Sequence, residues 1–320
     1  MRRFLLAVVS AAILGAIIFL PSRLGFATIE EDTAFIVPSG SSLTAVAQKL
    51  ETEGLISSAD GFLLRARLLG PGDPIQAGEF QLTSDMDQGD ILRSFQSGDV
   101  IRRFVTIPEG MPSIMVHERL MAEELLTGDV SVPPEGTILP QTYDFERGEE
   151  RAALVARMQK SMGETLEELW GKRSETTAVK TPREAIILAS IVEKETSKPE
   201  ELRMVAGVLS NRLRIGMQLG ADATTIYPIT KGKPLGRRIR VSELRDPNPY
   251  NTRAISGLPV GPITNPGRQS IEAVLDPAET DAFFYVADGT GGHVFAKTLD
   301  EHNANVAKWR QIRRDRGEIE

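Results

Sequence analysis

The segment Thr181–Thr196, TPREAIILASIVEKET, sets the strongest constraint on what this chain can fold into. It opens with helix-start chemistry. Thr181 can cap, Pro182 suits the first helical position, and Glu184 sits where its carboxylate can bond back to the cap backbone. Ile186, Ile187, Leu188, Ala189, Ile191 and Val192 follow, so the helix has to be buried against a core. The run closes in Glu193, Lys194 and Glu195. On a helix Leu188, Ile191 and Val192 share a side with Glu195, whereas Glu193 points toward Ala189 and Ser190. One carboxyl therefore ends the most apolar stripe of the chain. There it loses water and holds its proton above the usual pKa of about 4.3, as a general acid must. An exposed, ordinary glutamate is the commoner occupant of a helix end, so the rest of the sequence has to decide.

Composition narrows the choice. The chain has 320 residues, enough for two domains, with 44 acidic and 37 basic side chains and a net charge of −7. That balance excludes nucleic acid as the main partner, because phosphate binding needs a basic footprint; a glycan makes no such demand. There is no cysteine, which removes disulfides, thiolate catalysis and cysteine-held metal. The three histidines, His117, His293 and His302, stand in no HExxH or other common ligand spacing, so no metal and no cofactor is expected. No serine lies in a G-x-S-x-G elbow, and the glycines of 289–292 precede a strand rather than a helix, which leaves no phosphate loop.

Read in order, the pattern predicts an α+β chain. Arg2 and Arg3 precede an uncharged run, Phe4 to Leu20, that at about 1.5 Å per residue just spans a bilayer core. With Glu30, Glu31 and Asp32 after it, the charge bias predicts a retained single-pass anchor with its N-terminus in the cytoplasm and the bulk of the chain outside. A cleaved signal peptide is the rival. Residues 1–26 are assigned to this anchor, 27–105 to a small mixed module and 106–320 to a larger, mainly helical domain. The module alternates strands at Phe35–Pro38, Gly78–Leu82 and Val100–Pro108 with helical stripes starting near Leu43, Phe62 and Ile91. IVPSG (36–40) is echoed by TIPEG (106–110), each ahead of a helix. The larger domain carries helical patterns over 151–171, 181–196 and 202–214. A loop-rich stretch, 217–267, reads as the wall of a groove. A hairpin of DAFFYVAD (281–288) and VFAK (294–297) follows, then a last helix with a Thr298/Glu301 capping box.

The chemistry left open is that of carboxylates. An ordinary glycosidase needs two of them flanking the bond; Asp222, Asp246 and Asp288 are candidate partners for Glu195. A single carboxyl suffices where the sugar supplies its own nucleophile. Glu195 then protonates the leaving oxygen and afterwards takes the proton of an internal hydroxyl. Asn211, Tyr227, Tyr250 and Asn251 are polar groups able to orient a sugar, and His293 is expected to line the groove.

The blocks ASIVEKET (189–196), VAGVLSNRLRIGMQL (205–219), ADATTIY (221–227), PYNT (249–252), GLPVGPITNPG (257–267) and FYVADGTGGHVFAKTLDEHN (284–303) resemble the endolytic murein transglycosylase family. The resemblance spans nearly the whole chain. It implies a membrane-anchored enzyme with a LysM-like module before the catalytic domain. Its substrate would be peptidoglycan glycan strands, cut between N-acetylmuramic acid and N-acetylglucosamine to leave 1,6-anhydro-muramyl ends. It also implies that Glu195 is the acid, and that the enzyme terminates nascent strands beside peptidoglycan synthases at the inner membrane. Two positions depart from the family pattern: Arg253, where an aromatic is usual, and Ala223, where proline is. A two-carboxylate muramidase and a non-catalytic, anchored wall-binding scaffold are the alternatives.

Overall fold

The computed structural model describes residues 26–69 and 72–318. The chain divides into two compact units. The first holds the described residues up to Arg103 together with Asp144–Gly148; the second holds Phe104–Tyr143 and the described residues from Glu149 onward.

The first unit is built from β1 (Thr33–Val37), α1 (Leu43–Thr52), α2 (Ala59–Leu69), β2 (Gly78–Leu82) and α3 (Gln88–Ser97). β1 and β2 pair antiparallel, with Thr33 opposite Leu82 and Val37 opposite Gly78. Strand alternation turns Phe35, Val37, Phe80 and Leu82 inward. Phe95 of α3 packs on Phe35 and Phe80 at centroid distances of 5.6 and 4.9 Å, which ties the helix to the ribbon. Ser42 caps α1, and Asp87 with Asp90 forms a capping box on α3. β3 (Arg102–Thr106) and β4 (Thr142–Glu146) pair with each other as a second two-stranded sheet.

The second unit is mainly helical. Its elements are α4 (Ser113–Met121), α5 (Arg151–Gly171), α6 (Pro182–Glu195), a 3-10 turn at Pro199–Glu201 and α7 (Leu202–Arg214). Then come α8 (Asp222–Thr230), α9 (Val241–Leu244), α10 (Arg268–Leu275), the hairpin strands β5 (Phe284–Ala287) and β6 (His293–Ala296), and α11 (Leu299–Asp315). Helix α6 is the centre. Every residue from Ala185 to Val192 is buried, so the helix is covered on all sides rather than along one stripe. Helices α5, α7, α8 and α10 supply the cover, with Val205, Leu209, Ile271 and Val274 in the shared core. Its start follows the sequence expectation: the Thr181 hydroxyl accepts from the Glu184 N–H at 3.1 Å. Glu184 reaches back one residue further than expected and accepts from the Lys180 N–H at 2.6 Å.

Two expectations need correction. The α+β class carries over, but the single N-terminal transmembrane helix that went with it does not. Among the described residues no helix is long and apolar enough to cross a membrane, and residues 4–20 lie outside the described residues. The stretch 217–267, read as loops, contains α8 and α9. Intrinsic propensity hid α8, because Thr224, Thr225 and Ile226 are β-branched and Pro228 lies inside it. One local bond and two long-range ones hold it instead. Thr224 Oγ1 donates to the Ala221 carbonyl at 2.6 Å and lies 2.8 Å from Thr252 Oγ1, and Thr225 Oγ1 donates to Asn251 Oδ1 at 2.8 Å.

Candidate active site

Helix α6 delivers its three last charged residues to three different places. Glu193 Oε2 accepts from the Gly267 N–H at 2.9 Å and from Ser270 Oγ at 2.7 Å, so it caps the start of α10 from outside that helix. Lys194 Nζ donates to the Gly110 carbonyl. Glu195 alone meets the hairpin: the Tyr285 hydroxyl donates to its Oε2 at 2.7 Å.

The surroundings of Glu195 favour the protonated form. Burial pushes its carboxyl above the ordinary value, and the charge of Asp222 adds to that. The Tyr285 hydrogen bond and the charges of His293 and Arg212 pull the other way without cancelling it. The residue also ends a helix, where unpaired carbonyls disfavour a negative charge. Tyr285 stays a neutral donor, since burial and the neighbouring carboxylate hold its phenol well above the usual range.

Helix α7 supplies Arg212. Its Nε and Nη1 donate to the Phe283 and Leu219 carbonyls, both at 2.6 Å, and its guanidinium lies 5.6 Å from the Tyr285 ring centroid. This one side chain braces both the hairpin and the 215–220 turn around the acid.

Glu195 lines two hollows. One, of about 420 Å³, is lined by Arg212, Gln218, Asp222, Arg253, Tyr285 and His302 besides Glu195. The other, of about 510 Å³, is lined by Glu109, Glu193, Lys194, Ser197 and Gln269 among others, and again by Glu195. This second hollow shares Pro199, Leu202 and Gln269 with a third of about 490 Å³ that runs on toward Lys172 and Arg203. Glu195 is the one lining residue that the 420 and 510 Å³ hollows share.

The residues expected from sequence take different places. Asp222, the first residue of α8, lines the 420 Å³ hollow and accepts from Arg253 Nε at 2.5 Å. His293 packs edge-on against the Tyr285 ring, 5.4 Å between centroids, and is fixed by Glu201, which accepts from its main-chain N–H at 2.9 Å and lies 2.7 Å from Nδ1. Burial raises the Glu201 carboxyl, but the bonds from His293 and Thr196 outweigh it and leave it below its ordinary value.

Asn211 is taken up by the main chain. Its Nδ2 donates to the Thr280 and Ala282 carbonyls at 2.8 and 3.1 Å. Asn251 is buried, with Nδ2 donating to the Glu243, Leu244 and Asp246 carbonyls and Oδ1 accepting from Thr225 and the Arg253 N–H. The rings of Tyr227 and Tyr250 lie 4.8 Å apart, and the Tyr227 hydroxyl donates to Glu135 Oε2 at 3.2 Å. Asp288 accepts from Thr290 and Gly292 within the hairpin turn. Among the described residues no group of three or more acidic or histidine side chains could hold a metal ion.

Sequence reasoning missed Tyr285 and Arg212. Both lie far along the chain from Glu195 or on a different helix. The only local signal for Arg212 is its place in the last turn of α7, where a cation also complements the helix dipole.

A profile of the YceG-like family matches residues 35–308. The chain belongs to the YceG-like family. An endolytic murein transglycosylase of Bacillus subtilis (strain 168) is 28% identical over 305 residues, covering 85% of this chain and 83% of that one. One of Streptococcus pneumoniae serotype 2 is 28% identical over 321 residues, covering 85% of this chain and 57% of its own length. A 2.6 Å crystal structure of a YceG-like protein from Listeria monocytogenes superposes with a TM-score of 0.54 at 25% identity, covering 86% of this chain and 99% of that one. The YceG-like match includes the Glu195 segment, Arg212 and the Tyr285 hairpin together.

Proposed function

We propose that the chain is an endolytic murein transglycosylase that cuts peptidoglycan glycan strands between N-acetylmuramic acid and N-acetylglucosamine. The observation that carries this reading is the desolvated carboxyl of Glu195, held by Tyr285 and lining two open hollows. In the reaction Glu195 gives its proton to the glycosidic oxygen as the bond from that oxygen to muramyl C1 breaks. The muramyl C6 hydroxyl then adds to C1, and the Glu195 carboxylate takes the hydroxyl proton. The 1,6-anhydro ring closes, no water is consumed, and the acid is restored. The two hollows that share Glu195 support cleavage inside a strand, since a strand lying across the acid need not present an end. Catalysis is placed on the wall side of the inner membrane, where the substrate is. Termination of nascent strands beside the synthases, and wall binding by the first unit as a LysM-like module, belong to the same proposal.

Digestion of purified peptidoglycan followed by mass spectrometry of the fragments tests it. Anhydro-muramyl ends from the wild type, lost in Glu195→Gln, are the expected result. A second reading rests on Asp222, whose carboxylate shares the hollow with Glu195. Were it to activate a water, the products would carry reducing ends instead.

A further inference from the structure

The two hollows beside Glu195 differ in charge. Apart from Glu195, which lines both, the 420 Å³ hollow has two guanidiniums, Arg212 and Arg253, against one carboxylate, Asp222. The 510 Å³ hollow has two carboxylates, Glu109 and Glu193, against one ammonium, Lys194. On the cationic side the guanidiniums are only partly used. Arg212 commits Nε and Nη1 to main-chain carbonyls, and Arg253 commits Nε to Asp222. Arg212 Nη2 and both Nη nitrogens of Arg253 have no hydrogen-bond partner among the described residues. The Arg253 side chain is 41% exposed, so its open fork is reachable from the groove.

The two sugars of the strand differ in the matching way. N-acetylglucosamine is neutral. The muramyl residue carries a lactyl ether on C3 that ends in a carboxyl group, free in stripped strands and joined in intact wall to a peptide with carboxylates of its own. A planar guanidinium with two free N–H groups suits a carboxylate, and a lysine would serve it less well. A hollow of about 420 Å³ also falls within the usual range for a site that encloses one small ligand.

We infer that the hollow on the Arg212–Arg253 side of Glu195 is the muramyl subsite, and that Arg253 reads the carboxylate-bearing substituent on C3 and so sets the direction in which a strand lies. The neutral sugar of the cleaved bond then lies on the Glu109–Glu193 side. There a substituent carboxylate would meet two like charges against a single ammonium, Lys194, which already donates to the Gly110 carbonyl. Asp222 holds Arg253 by its Nε edge and leaves the Nη fork turned to the ligand. This inference rests on the transglycosylase reading and adds to it which sugar goes where.

The test uses the full chain and two probes. One is glycan strands stripped of peptide by an amidase, with free lactyl carboxylates. The other is the same strands with those carboxylates reduced to alcohols. The wild type should cleave the carboxylate strands with kcat/KM about tenfold higher, a ratio carried by KM and reduced by added salt. Arg253→Gln should bring the ratio close to one, and Arg253→Lys should leave it in between. Equal cleavage of both strands by the wild type overturns the inference. So does an Arg253→Gln variant that slows both strands alike and shifts the pH profile, since Arg253 would then act only through Asp222. The ends produced report on the reaction separately. Reducing ends overturn the transglycosylase reading while the strand ratio still decides the subsite, and no cleavage of either strand overturns both.

Discussion

The Tyr285 hydroxyl donates a 2.7 Å hydrogen bond to Glu195 Oε2, joining the hairpin to the last residue of the central helix. That bond favours the carboxylate, while the charge of Asp222 favours the protonated acid. The two neighbours therefore tune one group in opposite directions. One oxygen is held by the phenol, which leaves the other to carry the proton that the proposed reaction gives away.

Opposite pH shifts follow from this opposition. The acid must be protonated in the free enzyme, so kcat/KM falls as pH rises through the Glu195 pKa. Tyr285→Phe removes the bond that lowers this pKa and should move the fall to higher pH. Asp222→Asn removes the charge that raises it and should move the fall to lower pH. Tyr285→Phe should also slow the reaction about tenfold, the scale of one lost hydrogen bond to a charged group. Profiles of kcat/KM against pH for the two variants check the pair; shifts in the same direction would count against the arrangement.

Glu195 also weighs on stability. Its folded pKa lies above its unfolded value. Its contribution is therefore fully present below about pH 4.3, the unfolded value, and is lost as pH rises through the folded pKa. At neutral pH the wild type carries the cost of holding this carboxyl where its ionised form is disfavoured, a cost that Glu195→Gln removes. The variant should melt roughly 2–4 °C higher at pH 7, and the gap should close as the pH falls toward 4. Melting curves at several pH values read this directly, and a gap that widens toward acid would refute it.

Much of this site was legible in the chain, and what was not has a physical cause. Thr181 and Pro182 announced the start of α6, and the apolar run announced its burial, because caps and periodicity are local. The choice of Glu195 over Glu193 followed from the helical repeat. What Glu193 does was hidden, since Gly267 and Ser270 are more than seventy residues away. The same distance hid Tyr285. Asn251 looked like a sugar ligand because an unpaired amide and a loop anchor have the same sequence signature. Helix α8 was hidden by its own composition, since Thr224, Thr225 and Pro228 argue against a helix that only packing can hold.

Two carboxylates two positions apart should fail in different ways. Glu193 caps α10 through Gly267 and Ser270. Glu193→Ala should cost about 0.5–2 kcal/mol of stability, the usual range for a lost cap, and should still cleave strands. Glu195→Ala should abolish cleavage without that loss of stability. Urea unfolding together with a cleavage assay separates them; a Glu193 variant that is stable but inactive would place that residue in the chemistry.

Asn251 is the last test, and it concerns a residue whose polarity invites a substrate role. Its Nδ2 donates to three main-chain carbonyls at 2.8–3.2 Å, and its Oδ1 accepts from Thr225 and from the Arg253 N–H. The side chain is buried, so these bonds have no water to replace them. Asn251→Ala leaves several buried groups unpaired at once and should destabilise the chain by about 3 kcal/mol. It should also loosen the turn that carries Arg253, so residual activity should lose its preference for carboxylate-bearing strands along with its stability. The measurements are a denaturant midpoint and the ratio of rates on carboxylate and carboxyl-reduced strands. A variant of wild-type stability with a low kcat would mean instead that the amide touches sugar.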